Sequence, residues 1–297
     1  MKITFLRPNM YPRRSRDAMQ PLCFAILKSL TPPDVETAFY DERLEEIPFD
    51  EETDLVAMTV ETYTARRAFQ IASEYRQRGV PVVMGGYHPT FLPEECLQFA
   101  DAVVQGDAEG LWPQVVVDAR AGTLRSNYQD DGFPNLAGQP IPDRSLFAGK
   151  RYTPIDLVQY GRGCKYACDF CSIRALYGSS LRQRPLERFV VEVEQLNGRH
   201  VFIVDDNIFT DIVKAKELFR ALIPLKIKWS CQVSIDLARD PELVSLMAKS
   251  GCLTALIGFE SLDDKNLKQM RKQWNTKHVS YADAIKVFQD AGIMLYG

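Results

Sequence analysis

Histidine is nearly absent: His88, His200 and His278 are the three in 297 residues, and each stands alone. A lone histidine is weak evidence for a ligand. No apolar run reaches the roughly 20 residues that a bilayer span needs, and the N-terminal stretch reads as a strand rather than a signal peptide. Neither sign of charge is in excess. The 36 Lys and Arg face 39 Asp and Glu, for a net charge of −3 and a pI near 5.8, so nothing argues for a nucleic-acid partner. The basic run Arg13-Arg14-Ser15-Arg16 is short and reads as a solvated loop. A disulfide framework is not indicated either. Of seven cysteines, Cys23, Cys96, Cys231 and Cys252 are scattered and read as small buried apolar residues. The remaining three are clustered, a usage that fits a reducing, cytoplasmic compartment. Composition is otherwise ordinary for a globular protein, and the length accommodates two domains, each with its own core.

What is present centres on Tyr160-Gly161-Arg162-Gly163-Cys164-Lys165-Tyr166-Ala167-Cys168-Asp169-Phe170-Cys171. Three cysteines stand at the spacing C-x3-C-x2-C, on a stretch that Gly161 and Gly163 leave free to bend. Thiolate sulfur is a soft ligand suited to zinc or an iron–sulfur cluster. A closed structural zinc site takes four ligands, and no His or Cys follows within the next 28 residues. Three thiolates on a four-iron cubane would leave one iron open to a small molecule, and an open position is what makes a metal site catalytic.

The first 125 residues alternate strand and helix patterns. Strands are expected over Ile3–Leu6, Val35–Tyr40, Leu55–Val60, Pro81–Met84 and Ala102–Val104; helices over Leu22–Leu30, Thr64–Gln77, Leu92–Phe99 and Glu109–Ala121. Apolar runs such as Leu55–Val60 suit strands buried on both faces. The pattern predicts an α/β, Rossmann-like, doubly wound parallel sheet, which binds ligands outside the carboxyl ends of its strands. Glu61 to Thr64, with Tyr63 among them, Gly85-Gly86-Tyr87-His88-Pro89-Thr90 and Gly106-Asp107-Ala108-Glu109-Gly110 fall there. None is the G-x-G-x-x-G fingerprint, which argues against a nicotinamide cofactor.

Residues 126–154, rich in Gly and Pro, read as a linker. From 155 onward the β/α pattern resumes. Strands are expected over Ile155–Gln159, His200–Val204, Lys226–Ile235, Leu253–Phe259 and Ile293–Tyr296; helices over Pro185–Leu196, Ala215–Leu222, Asp240–Lys249 and Tyr281–Ala291. In β/α barrels, catalytic residues gather at the carboxyl ends of strands. Cys164, Asp206, Ser234, Asp236 and Glu260 fall at such ends or just beyond them.

The cysteine stretch, with Phe170 just before its last cysteine, resembles the signature of the radical S-adenosylmethionine (SAM) enzymes. Gly-Gly-Tyr-His-Pro-Thr and Gly-Asp-Ala-Glu in the first domain resemble the cobalamin-binding domain that precedes many radical SAM cores, whose second motif is more often Gly-Glu-x-Glu. The resemblance implies a cobalamin-binding domain over 1–125, a linker over 126–154 and a partial (β/α)6 radical SAM barrel over 155–297, truncated after its fifth strand and so part of a longer enzyme. It implies a [4Fe-4S] cluster on Cys164, Cys168 and Cys171, with SAM on the open iron. SAM contacts would come from Phe170, Asp205, Asp206, Ser234 and Glu260, although Asp205-Asp206-Asn207 replaces the family's usual Gly-Gly-Glu. An N-cap role is the alternative for the two aspartates. Cobalamin contacts would come from Tyr63, Gly85, Gly86, His88, Gly106 and Glu109. The family's Asp-x-His-x-x-G after the first strand is missing, so no first-domain histidine is expected beneath the cobalt.

By the same resemblance the function is methylation of an unactivated carbon: reductive cleavage of SAM gives a 5′-deoxyadenosyl radical, and methylcobalamin supplies the methyl group. The substrate would be a small molecule, lipid-like or tetrapyrrole-like, and the electron donor a flavodoxin or ferredoxin. The alternatives are an oxidoreductase or cyclase of the same architecture, such as the anaerobic magnesium-protoporphyrin ester cyclase, and a non-catalytic corrinoid or iron–sulfur binding protein.

Overall fold

The computed structural model describes residues 1–196, 200–208 and 211–297. The chain divides into two compact units, Met1–Thr153 and Pro154–Gly297.

In the first unit the chain runs β1 (Lys2–Arg7), α1 (Leu22–Leu30), β2 (Glu36–Asp41), β3 (Leu55–Thr59), α2 (Ala65–Gln77), β4 (Val82–Gly85), α3 (Tyr87–Phe91), α4 (Pro93–Cys96), β5 (Ala102–Val104), α5 (Trp112–Ala121) and β6 (Asn127–Tyr128). All the strands are parallel, in the order β2-β1-β3-β4-β5-β6. Continuous apolar strands bury both faces. Phe5, Phe24, Phe39 and Trp112 pack on one side of the sheet, and Met58, Ile71, Tyr75 and Met84 on the other. Each such side chain contributes about 1.5–3 kcal/mol on burial. The order reverses between β1 and β3, the point at which open parallel sheets form a ligand crevice.

Two expectations change here. The stretch read as a linker packs on the first unit: β6 pairs with β5, and Leu136 and Phe147 are buried. Two-residue strands in Gly- and Pro-rich sequence carry no periodicity to read. Residues 87–91, read as a loop, form the short helix α3, and Leu92 then breaks the helical path before α4.

The second unit contains β7 (Asp156–Val158), β8 (Gly161–Arg162), α6 (Ser172–Tyr177), β9 (Arg182–Gln183), α7 (Leu186–Glu194), β10 (His200–Ile203), α8 (Ile212–Leu222), β11 (Lys228–Gln232), α9 (Pro241–Lys249), β12 (Cys252–Leu256), α10 (Asp264–Gln269), α11 (Tyr281–Asp290) and β13 (Met294–Tyr296). Five strands form one parallel sheet in sequential order, β7-β10-β11-β12-β13. The two-stranded antiparallel pair β8–β9 stands apart and frames the cysteine loop. Helix starts follow local chemistry: Asp240 caps α9 through the Leu243 amide at 3.0 Å, and Pro241 occupies its first turn. The core gathers Phe189, Phe219, Trp229, Met247 and Phe288 against the sheet.

Candidate functional site

The cysteine loop leaves β8 and returns through α6 and β9. Gly163 has φ +95°, and a Cβ there would collide with the Ser180 carbonyl oxygen, so only glycine permits this closure. Cys168 is buried, Cys164 and Cys171 are half-buried, and Cys171 stands at the N-cap of α6. The Cys164 sulfur accepts a hydrogen bond from Asn207 Nδ2 at 3.6 Å. Burial raises the thiol pKa of both Cys164 and Cys168. Lys272 acts in the opposite direction on Cys168, and the other two thiols push it further up.

Among the described residues, no three His, Cys, Asp or Glu side chains converge to hold a single metal ion. A cubane cluster imposes a different spacing, because each thiolate binds a different iron. The donor set fits such a cluster: three soft sulfurs on one loop, within electrostatic reach of one another, with a cation beside them.

Asp205 and Asp206 brace this loop from the end of β10. Asp205 Oδ1 accepts from the Tyr160 amide at 2.7 Å, and Asp206 Oδ2 accepts from the Gly163 amide at 2.7 Å. Burial lifts the Asp205 carboxyl to about 7 against the pull of the Tyr160 and Gly161 amides. Neither aspartate caps the following helix. Asp211 does that for α8, through the Val213 and Lys214 amides. Ser234 lies buried at the end of β11 and accepts from Asn207 Nδ2 at 3.2 Å.

Residues that carried little weight in the sequence complete the surround. Tyr166 Oη donates to Asp236 Oδ2 at 2.5 Å; burial and that carboxylate both raise the phenol pKa. Asp236 is buried, and its Oδ1 has no partner among the described residues. The Tyr166 ring stacks on Trp274, with centroids 3.6 Å apart and planes 9° from parallel. Lys272 is buried, pairs with Glu260 at 2.7 Å, and sits 5.7 Å from the Phe170 ring centroid. Glu260 holds φ +62°, in the left-handed region that non-glycine residues rarely adopt; such outliers cluster at functional sites. The sequence offered one signal for this segment: Trp274 is a lone large aromatic in the polar run from Asp263 to Lys277.

In the first unit a cavity of about 630 Å3 opens at the β1/β3 reversal, bordered by Arg7, Tyr11, Arg43, Tyr63 and Thr64. Tyr63 is exposed there. Burial raises the pKa of the neighbouring Glu61 carboxyl. Gly85 ends β4. Gly86 follows at φ +102°, where a Cβ would stand 2.9 Å from Thr59 Oγ1 and 3.0 Å from the Val60 carbonyl oxygen. Thr90 Oγ1 donates to the Gly86 carbonyl at 2.7 Å and accepts from the Gly106 amide at 3.0 Å, tying the ends of β4 and β5 together. Glu109 accepts from Gln139 at 3.2 Å. His88 does not border the cavity. Its ring is buried, with Nε2 3.2 Å from the Glu95 carboxylate and the Phe69 ring tilted against it, centroids 5.9 Å apart.

A half-barrel carrying a three-cysteine loop and a switch-point sheet define a class, and comparison with known proteins agrees. Residues 158–295 match the radical SAM superfamily, and residues 29–116 match the B12 binding domain. The chain thus carries a stretch like a B12 binding domain ahead of one like a radical SAM core. It is 30% identical over 267 residues to the bacteriochlorophyllide d C-12(1)-methyltransferase of Chlorobaculum tepidum, an alignment covering 86% of this chain and 59% of that protein. It is 29% identical over 294 residues to the C-8(2)-methyltransferase of the same organism, covering 93% and 65%. The chain thus spans about three-fifths of the length of these curated relatives. The fold matches that of the cobalamin-dependent SAM radical enzyme OxsB, solved with aqua-cobalamin and SAM, at a TM-score of 0.81 over 99% of this chain and 48% of that one. At 16% identity, that likeness concerns the fold alone.

Proposed function

We propose that this chain is the cofactor-binding portion of a cobalamin-dependent radical SAM methyltransferase that acts on an unactivated carbon. The observation that carries the reading is the loop of three cysteines, without a fourth local ligand, at the carboxyl end of a parallel five-stranded sheet. When bound, the [4Fe-4S] cluster supplies the electron that cleaves SAM, and cobalamin supplies the methyl group.

The protein's part is to hold, orient and exclude water. Cys164, Cys168 and Cys171 hold the cluster. Asn207 donates toward the Cys164 sulfur, and Asp205 and Asp206 fix the backbone that feeds the loop. Ser234, Glu260 and the Phe170 face border the side where SAM would lie. In the first unit Tyr63 and the crevice beside it receive cobalamin, while Gly85, Gly86 and Gly106 keep side chains off the carboxyl edge of the sheet. Glu109 supports that edge through its bond to Gln139. His88 is buried beside Glu95 and is not assigned to cobalt. The named relatives support a tetrapyrrole-like substrate, and a flavodoxin or ferredoxin would deliver the electron.

The test is anaerobic reconstitution with iron, sulfide, cobalamin and a reductant, followed by mass spectrometry of SAM-derived and tetrapyrrole products. The expected outcome is 5′-deoxyadenosine that depends on all three cysteines, and a methylated product that depends on cobalamin. An oxidised or ring-closed product without an added methyl would replace methylation with the oxidoreductase reading. No SAM cleavage under any condition would leave a binding protein.

A further inference from the structure

We propose that Lys272 is a positioning residue for the cluster site, held by Trp274 and Glu260 against the loop between Cys164 and Cys171, and that its charge sets the reduction potential of the cluster bound there. This rests on the cluster-binding reading above.

The segment 270–274 meets that loop four times. The Asp169 amide donates to the Met270 carbonyl at 3.2 Å. Arg271 Nε lies 3.2 Å from Asp169 Oδ1. The Trp274 ring stacks flat on Tyr166. The Lys272 ammonium lies 5.7 Å from the Phe170 ring centroid and 5.5 Å from that of Trp274. These contacts are not equivalent. Arg271 and Asp169 are both exposed, and exposed pairs contribute little. Lys272 is 7% exposed, although a lysine ordinarily extends its ammonium into water. Burying it is costly, and Glu260 is the partner that offsets the cost.

The pair does not cancel electrically at Cys168. The Glu260 side chain is 32% exposed and that of Lys272 9%, so solvent screens the carboxylate more than the ammonium. Lys272 also faces the loop at Phe170, which stands between Cys168 and Cys171 in the chain. A cluster on three thiolates gains one negative charge on reduction, and a buried cation beside it favours the reduced form.

The experiment compares anaerobically reconstituted wild type, Lys272→Met and Lys272→Arg by iron content and by redox titration followed with electron paramagnetic resonance. Lys272→Met is expected to retain iron while its reduced-to-oxidised ratio at fixed potential falls about tenfold, a shift of about 59 mV to more negative values for one electron. Lys272→Arg should restore the wild-type potential. Lys272→Met with the wild-type potential overturns the proposal. Should Lys272→Met not fold, Glu260→Gln decides: loss of the counter-charge is expected to make the potential less negative, and no shift or the opposite shift overturns it. A wild-type protein that holds no cluster instead sinks the cluster-binding reading, and this inference with it.

Discussion

The two units build their carboxyl-end sites from different material. In the first, the rim is backbone: Gly85, Gly86 and Gly106 clear the strand ends, and one hydroxyl, Thr90 Oγ1, ties β4 to β5. In the second, the rim is side chain. Asp205 and Asp206 reach back more than 40 residues to Tyr160 and Gly163, Asp236 holds Tyr166, and Lys272 and Trp274 close over the loop from beyond β12. A backbone rim suits a large, flat ligand that needs room. A side-chain rim suits a cluster whose geometry and charge must be fixed. The first should therefore fail through lost space, and the second through lost polar partners.

The largest expected effect tests the polar side. Arg184 and Glu192 form a buried ion pair behind the cysteine hairpin, and Arg184 also donates to the Gln159 carbonyl at 3.2 Å. Glu192→Ala leaves a buried cation without its partner and should cost about 3–5 kcal/mol of stability, read as a lower denaturant midpoint; a loss below about 1 kcal/mol would mean the pair is in contact with water. Next is the backbone side. Gly86→Ala places a Cβ against Thr59 and Val60 at a positive φ, and about 1–3 kcal/mol is expected, together with weaker cobalamin retention. Wild-type stability and corrinoid binding in this variant would break the comparison. A pH dependence tests the polar side a second way. The folded Asp205 carboxyl titrates near 7, against an ordinary value of 3.8. Because the folded pKa is raised, no penalty exists below about pH 4; stability declines as pH rises from about 4 to about 7 and is level above. Asp205→Asn should lack that decline, so that urea midpoints of the two proteins diverge only within this window. Parallel curves would show that Asp205 is solvated.

Much of this difference in material explains what the sequence could tell. Strands buried on both faces write themselves as apolar runs, so β3, β4 and β5 were legible to within a residue or so, as were α9 and its Asp240 cap. The three cysteines were legible because their relation is local. The β8–β9 pair and β6 were not, since two-residue strands have no period. His88, two residues after Gly86 at a strand end, reads equally as a cofactor contact or a turn residue, and its ring lies buried beside Glu95 and Phe69. Asp205 and Asp206 looked like ligands or a cap, and Asp211 took the cap while they took backbone amides. Lys272 and Trp274 lie more than 100 residues after the loop they cover, and only the packing of the polypeptide relates them to it.

The central claim is that one chain holds a three-thiolate iron–sulfur cluster and a corrinoid. The measurement that tests it most directly is the iron, sulfide, zinc and cobalt content of anaerobically reconstituted protein, wild type beside Cys164→Ala, Cys168→Ala and Cys171→Ala. The account predicts about four iron and four sulfide per chain together with stoichiometric cobalt in the wild type, and loss of the iron with cobalt retained in each cysteine variant. Tightly bound zinc in place of iron, or a full cluster surviving in Cys168→Ala, would contradict it.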